Sequence, residues 1–194
     1  MGFFEFLFGK PKTYQHTERA ALGSGNRSLS TSTTRRRPEA SILNVQVGGV
    51  ISYNATDFVV RNRYVYEDHG FEWFSFHLVD TISGQKLWID AEDDDELSVA
   101  LSQPVKMDIS LPMQSKLFHN GISFYQDEHG YAKVLIESED SEPHYSQVEF
   151  WDFYDEEDEQ FLGIERWGNE LEVSVGHYIE PFELSILSTG DPHA

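Results

Sequence analysis

The sequence predicts an all-β protein: two similar small antiparallel β-barrel or sandwich units made by an internal repeat, behind a disordered N-terminal linker. Three observations predict it. The first is the repeat. Phe76, Leu78, Asp80, Leu87, Ile89 and Asp90 recur 75 positions later as Trp151, Phe153, Asp155, Leu162, Ile164 and Glu165. With small shifts of register, Glu96-Leu97-Ser98-Val99 matches Glu170-Leu171-Glu172-Val173, and Pro104, Met107 and Ile109 match Pro181, Leu184 and Ile186. A fixed-period match of this kind is the signature of a duplicated supersecondary unit. The second is short apolar runs of period two, punctuated by Gly, Asn and Asp. The third is the lack of any useful stretch of helical period.

Composition narrows the class. A chain of 194 residues, 39% hydrophobic and 14% aromatic, can bury a core. A lone unit of about 70 residues is marginal, so two packed units are expected. The sequence leaves open whether they close as one barrel or two. No apolar run approaches the roughly 20 residues that span a bilayer, and Met1–Phe8 lacks the flanks of a secretion signal. There is no cysteine, hence no disulfide or thiolate chemistry. A cytoplasmic location is expected, with peripheral contact to the inner membrane as an option. Residues 1–40 carry seven Lys/Arg and three Asp/Glu; the other 154 carry seven and thirty-one, a body near −24. Such a body repels nucleic acid and attracts a basic partner, a polyamine or a divalent cation, if it does more than keep the chain soluble.

Residues 1–12 form an aromatic tip, with Phe3, Phe4, Phe6, Leu7 and Phe8 crowded around Glu5. A helix this short gains stability only by docking on a partner or a membrane interface. Residues 13–40 read as a disordered basic linker rich in Ser, Thr and Arg, in which Arg35, Arg36 and Arg37 offer contact to an anionic head group.

The first unit, 41–112, begins with β texture from Leu43, where Asn44-Val45-Gln46-Val47 alternates. After Gly48-Gly49 it continues through Val50–Tyr53 and Phe58–Tyr66. Asp68-His69-Gly70 supplies a hairpin turn, Gly accepting positive φ. Trp73–Asp80 alternates, Phe74, Phe76 and Leu78 on one face and Ser75, His77 and Val79 on the other. Leu87–Ile89, Val99–Leu101 and a closing Pro104–Leu111 follow. The second unit, 113–188, runs from Leu117 through Ile122–Tyr125, then a turn at Gly130. That turn matches Asp68-His69-Gly70 at a separation of sixty, which pairs His69 with His129. An acidic loop Glu137–Ser146, holding Pro143, precedes the strands Val148–Tyr154, Phe161–Trp167, Leu171–Val175 and Pro181–Leu187.

Few constellations carry chemistry. The acidic runs, Asp93, Asp94 and Asp95 above all, invite a cation, but neither run has the glycine bend and alternate-position spacing of a calcium loop. They read first as solvated turns that blunt strand edges. The eight histidines lack zinc spacing, and no phosphate loop or Gly-x-Ser-x-Gly is present. Asp90 and Glu165 recur at one position, and a carboxylate pair there could do acid–base work. Duplication alone also explains the recurrence. No enzyme, metal or cofactor is expected; an enzyme would require both carboxylates inside a closed pocket rather than in bulk water.

Val47-Gly48-Gly49-Val50-Ile51-Ser52-Tyr53, Phe58-Val59-Val60, Glu72-Trp73, Leu78-Val79-Asp80 and Leu87-Trp88-Ile89 resemble a bacterial family catalogued as domain of unknown function 4178. So do Phe161-Leu162-Gly163-Ile164-Glu165-Arg166-Trp167-Gly168 and Glu172–Gly176. The resemblance implies a β-rich protein without an assigned activity. Its genes often lie beside those for phage-shock-protein-A-like membrane-stress proteins, or for spermidine-synthase-like enzymes and small membrane proteins. The expectation is a non-enzymatic adaptor or binding module with a protein partner, such as a phage-shock-protein-A-like one, in envelope stress. The alternative is an acidic binder of polyamine or divalent cation through Asp93–Asp95.

Overall fold

The computed structural model describes residues 41–93 and 96–190. Within them the chain forms eleven strands of one antiparallel sheet. The first repeat supplies β1 (Val50–Tyr53), β2 (Thr56–Asp68), β3 (Phe71–Val79), β4 (Lys86–Asp93) and β5 (Leu97–Pro104). The second supplies β6 (Lys116–His119), β7 (Ile122–Ser138), β8 (Ser141–Tyr154), β9 (Gln160–Trp167) and β10 (Glu170–Ile179), with β11 (Leu184–Ser188) after it. The all-β, antiparallel expectation is what the structure has.

How the repeats combine is the informative part. The order is β11-β1-β2-β3-β4-β5-β10-β9-β8-β7-β6, and β2 also pairs with β7. Eight strands, β2 to β5 and β7 to β10, thus run round into one ring to which each repeat gives four. The repeats meet at two seams. At one, β5 lies against β10 from Val99↔Ile179 to Pro104↔Ser174. At the other, Asn62–Glu67 of β2 lies against Lys133–Ser138 of β7. Arg61 and Arg63 on β2 form ion pairs with Glu139 and Glu137 across that second seam.

Equivalent turns are built alike. Asn54 and Asn120 both sit at φ 48°, the left-handed region that Asn tolerates, in the β1–β2 and β6–β7 turns. Asp80 and Asp155 hold the β3–β4 and β8–β9 turns. Asp80 accepts from the Ile82 and Ser83 amides at 2.8 and 3.1 Å. Asp155 accepts from the Glu159 and Gln160 amides at 2.9 and 3.2 Å. Carboxylates that recur at the ends of strands thus have a local hydrogen-bonding reason.

Alternation sends each strand's side chains to two covered faces. One face looks into the ring, where Tyr66, Trp73, Ala100, Val134, Phe150 and Phe161, drawn from both repeats, form one apolar cluster. The opposite face carries a separate cluster for each repeat. The first gathers Ile51, Phe76, Leu78 and Ile89. The second gathers Phe124, Phe153, Leu162 and Ile164. The closing segments cross over: Met107 and Ile109 of the first repeat pack on the second cluster. Leu184 and Ile186 pack on the first.

Four expectations are corrected. Asn44–Val47 is not a strand: Ser41 caps a 3-10 turn at Ile42–Asn44, and Ile42 and Val45 bury themselves in the first cluster. Of Pro104–Leu111 only Pro104 belongs to a strand. Gly130 does not turn the chain; it lies inside β7 opposite Phe150, whose ring occupies the space a Cβ would need, at 2.5 Å. His129 is therefore a strand residue stacked on Trp151 at 4.8 Å, whereas His69 sits in a turn at φ 51°. Finally, Glu137–Ser146 is no surface loop. It is the tip of the β7–β8 hairpin, with only Glu139 and Asp140 outside the strands. Pro143 is tolerated because β8 pairs with β9 only from Glu149 onward, so this stretch has a free edge.

Candidate functional site

The ring holds a partly open cavity of about 140 Å³. Its wall is aromatic on one side. Tyr66 stacks on Trp73 with centroids 5.0 Å apart and planes 11° apart, and Phe150 meets Trp73 edge-on at 6.1 Å. Phe161, Tyr178 and Trp88 also line it. The rest of the wall is acidic: Asp90, Asp152, Glu165 and Glu172 line it, and among the described residues no Lys, Arg or His does. Burial of aromatic surface is ordinary; burial of several carboxyls without a counter-charge is costly and asks for a reason.

The fold places each carboxyl by alternation. Asp90 lies between Leu87/Ile89 and Ala91 contacts on the opposite face of β4, and is paired with Ser75 on β3 and Ala100 on β5. Ser102 donates to its Oδ2 at 3.4 Å. Withdrawal from solvent nonetheless pushes Asp90 up to about 6, against the lowering effect of bonds from Ser75 and Ser102. Glu165 occupies the matching place on β9. Withdrawal from solvent pushes it up to about 7, hydrogen bonds from Tyr66 and Trp167 oppose the rise, and the charges of Asp90 and Glu172 add to it. The Trp167 Nε1 donates to Glu165 Oε2 at 3.0 Å. Asp90 and Glu165 are half-buried and both line the cavity. Asp152, on β8 opposite Gly163, is held well above the usual carboxylate range, first by burial and then by Glu128, Glu165, Asp127 and Asp90. Its Oδ2 is buried without a hydrogen-bond partner.

The cavity exists because the repeats differ here. In the first repeat His77 stacks on Trp88 at 4.9 Å. The equivalent pair, 75 positions on, is Asp152 and Gly163. Where one half has an indole, the other has a hydrogen atom, and a third acid looks into the space.

The candidate residues from the sequence fare unevenly. Asp90 and Glu165, which duplication alone would explain, are brought into one chamber and neither lies in bulk water. This is the placement that acid–base chemistry requires. Asp93 ends β4 and is exposed, away from the cavity, while Asp94 and Asp95 lie outside the described residues. So do Phe3, Phe4, Phe6, Leu7 and Phe8 of the tip, and Arg35, Arg36 and Arg37 of the linker. Asp152 went unmarked because its partner in the repeat is a histidine; the alternation of Trp151 and Phe153 around it was the available signal. Among the described residues, no group of three His, Asp or Glu is placed to hold a metal ion, and no helix is long and apolar enough to cross a membrane.

Fold and site together define a closed antiparallel β ring with an acidic, aromatic lumen, assembled from two repeats. The chain belongs to the family described as Domain of unknown function (DUF4178), whose model matches residues 46–181. That span runs from the turn before β1 to the end of β10 and contains every cavity residue. The chain is also similar to Uncharacterized protein Mb2628 of Mycobacterium bovis and Uncharacterized protein Rv2597 of Mycobacterium tuberculosis. Each is 21% identical over 145 residues, covering 72% of this chain and 69% of the relative. No solved structure matches the chain.

Proposed function

We propose that the protein is a binding module whose ring cavity holds a small organic cation. One observation carries the reading: Asp90, Asp152 and Glu165 line one cavity that, among the described residues, no basic side chain of its wall neutralises. Aromatic faces such as Trp73 and Phe150 attract cations through the ring quadrupole, the more so where water is excluded. A cavity of this size matches one of about 150 Å³ that accepts benzene, so the guest has roughly six to eight non-hydrogen atoms. The carboxyls are spread over β4, β8 and β9 rather than gathered into a chelating set, which favours an ammonium over a divalent metal. Binding is favoured over catalysis because no His or Cys lines the wall to activate a nucleophile.

The experiment is a thermal-denaturation series on the full chain at about pH 8, where the acids ionise most readily. Butylammonium should raise the midpoint, and butanol and butyrate should not. Equal shifts from all three, or none from butylammonium, would sink the reading.

Docking of residues 1–12 on a membrane or a membrane-bound partner is a separate proposal, supported by the five apolar side chains around Glu5. It predicts that the whole chain sediments with anionic vesicles and a chain lacking residues 1–12 does not.

A further inference from the structure

We infer that the guest is a short aliphatic diammonium ion, one nitrogen held at Asp90 and the other at Glu165. The inference rests on the cation reading and gives it a ligand class.

The repeat supplies two ends. Asp90 and Glu165 occupy equivalent positions on β4 and β9. Around the ring those strands are separated by β5 and β10, and the register offsets them further: Asp90 lies level with Tyr178 of β10, whereas Glu165 pairs with Glu172, six residues away. The two carboxyls therefore reach into the lumen from different sides rather than as a clustered pair. Aromatic side chains, Phe161 and Trp88 among them, line the same cavity and suit a run of methylenes. Six to eight non-hydrogen atoms leave four to six carbons between two nitrogens. A quaternary ammonium fits less well, because the carboxylate oxygens of Asp90 and Glu165 want N–H donors that it lacks.

Charge sets the stoichiometry. Three acids within one small space cannot all ionise, since like charges disfavour one another's charged forms. Burial and the neighbouring acids hold Asp152 in its neutral form. It stays a carboxylic acid while Asp90 and Glu165 each give a proton to solvent and keep a carboxylate against an incoming ammonium. Charge balances: a dication enters, and up to two protons leave.

The test is titration calorimetry of the full chain near pH 6, where both acids still hold protons, in two buffers of different ionisation enthalpy. The probes are diaminopropane, diaminobutane, diaminopentane, butylamine and tetramethylammonium. The expected result is that at least one diamine binds tenfold or more tightly than butylamine, with protons released to the buffer. Asp90→Asn and Glu165→Gln should each bring that diamine down to the butylamine level. Both replacements keep shape and remove only a titrating group, so a folded protein is expected, and circular dichroism checks it. Butylamine or tetramethylammonium binding as tightly as every diamine, or binding without proton release, overturns the two-ended ligand and leaves the cation site standing. No binding by any probe overturns both.

Discussion

Asp90 and Glu165 hold their protons more tightly in the folded chain than in the unfolded one. Their contribution to stability is therefore complete below about pH 4 and is lost as pH rises through about 6 for Asp90 and about 7 for Glu165. Each shift is roughly 3 kcal/mol at most. Urea midpoints should fall steadily between about pH 4 and about pH 7.5. Asp90→Asn and Glu165→Gln should flatten that slope and stabilise the protein by about 1–3 kcal/mol near pH 8, with little change near pH 4. A protein that grows more stable when its buried acids are neutralised is keeping them for something other than its fold. Gly163 gives the converse test. A Cβ there meets only Ser174 Oγ at 3.3 Å and Asp152 Oδ1 at 3.9 Å. Gly163→Leu should fill the cavity, abolish butylammonium binding and leave the unfolding midpoint no lower. Calorimetry and denaturation on the same sample read both outcomes.

At the level of elements, two strands carry a glycine beneath an aromatic ring. Gly130 of β7 lies under Phe150. Gly176 of β10 lies under Phe161, where a Cβ would stand 2.3 Å from the ring and 2.4 Å from the Leu101 carbonyl oxygen. A ring can swing aside, but the carbonyl of a paired strand cannot. Gly176→Ala should cost about 1–3 kcal/mol by overpacking, measurable as a drop in the urea midpoint. The same residue type explains where the sequence misled. Asp127–Tyr131 has the composition of a turn, and a turn there aligned neatly with Asp68–Gly70. The ring of Phe150 at the facing position gives Gly130 another use, and only cross-strand pairing reveals it. Strands whose two faces could be read, Trp73–Val79 and Val148–Tyr154 among them, were legible because alternation is local. Segments such as Ile42–Val45 were not, because their burial depends on strands distant in sequence.

For the whole molecule, the repeat was legible but its closure was not. Which edges meet is decided by Asn62–Glu67 against Lys133–Ser138 and by Val99–Pro104 against Ser174–Ile179, and neither pairing leaves a trace in periodicity. The site was half legible for the same reason. Asp90 and Glu165 were marked by recurrence, but that they share one chamber follows only from both seams. Because Leu184 and Ile186 complete the first repeat's cluster, and Met107 and Ile109 the second's, neither repeat is complete alone. Residues 41–112 and 113–190 expressed separately should each show the poorly dispersed amide spectrum of an unpacked chain, and mixing them should restore native dispersion. A dispersed spectrum from either half by itself would contradict this.

Crossed closing segments are what two subunits have when they exchange arms. An ancestral chain one repeat long would have been an obligate homodimer, its dyad running between two identical acids. Nothing could change on one side without changing on the other, and an indole on both sides would have filled the middle. Two repeats in one chain are free of that constraint. One half has His77 and Trp88 where the other has Asp152 and Gly163, and the lumen lies where the two halves are no longer copies.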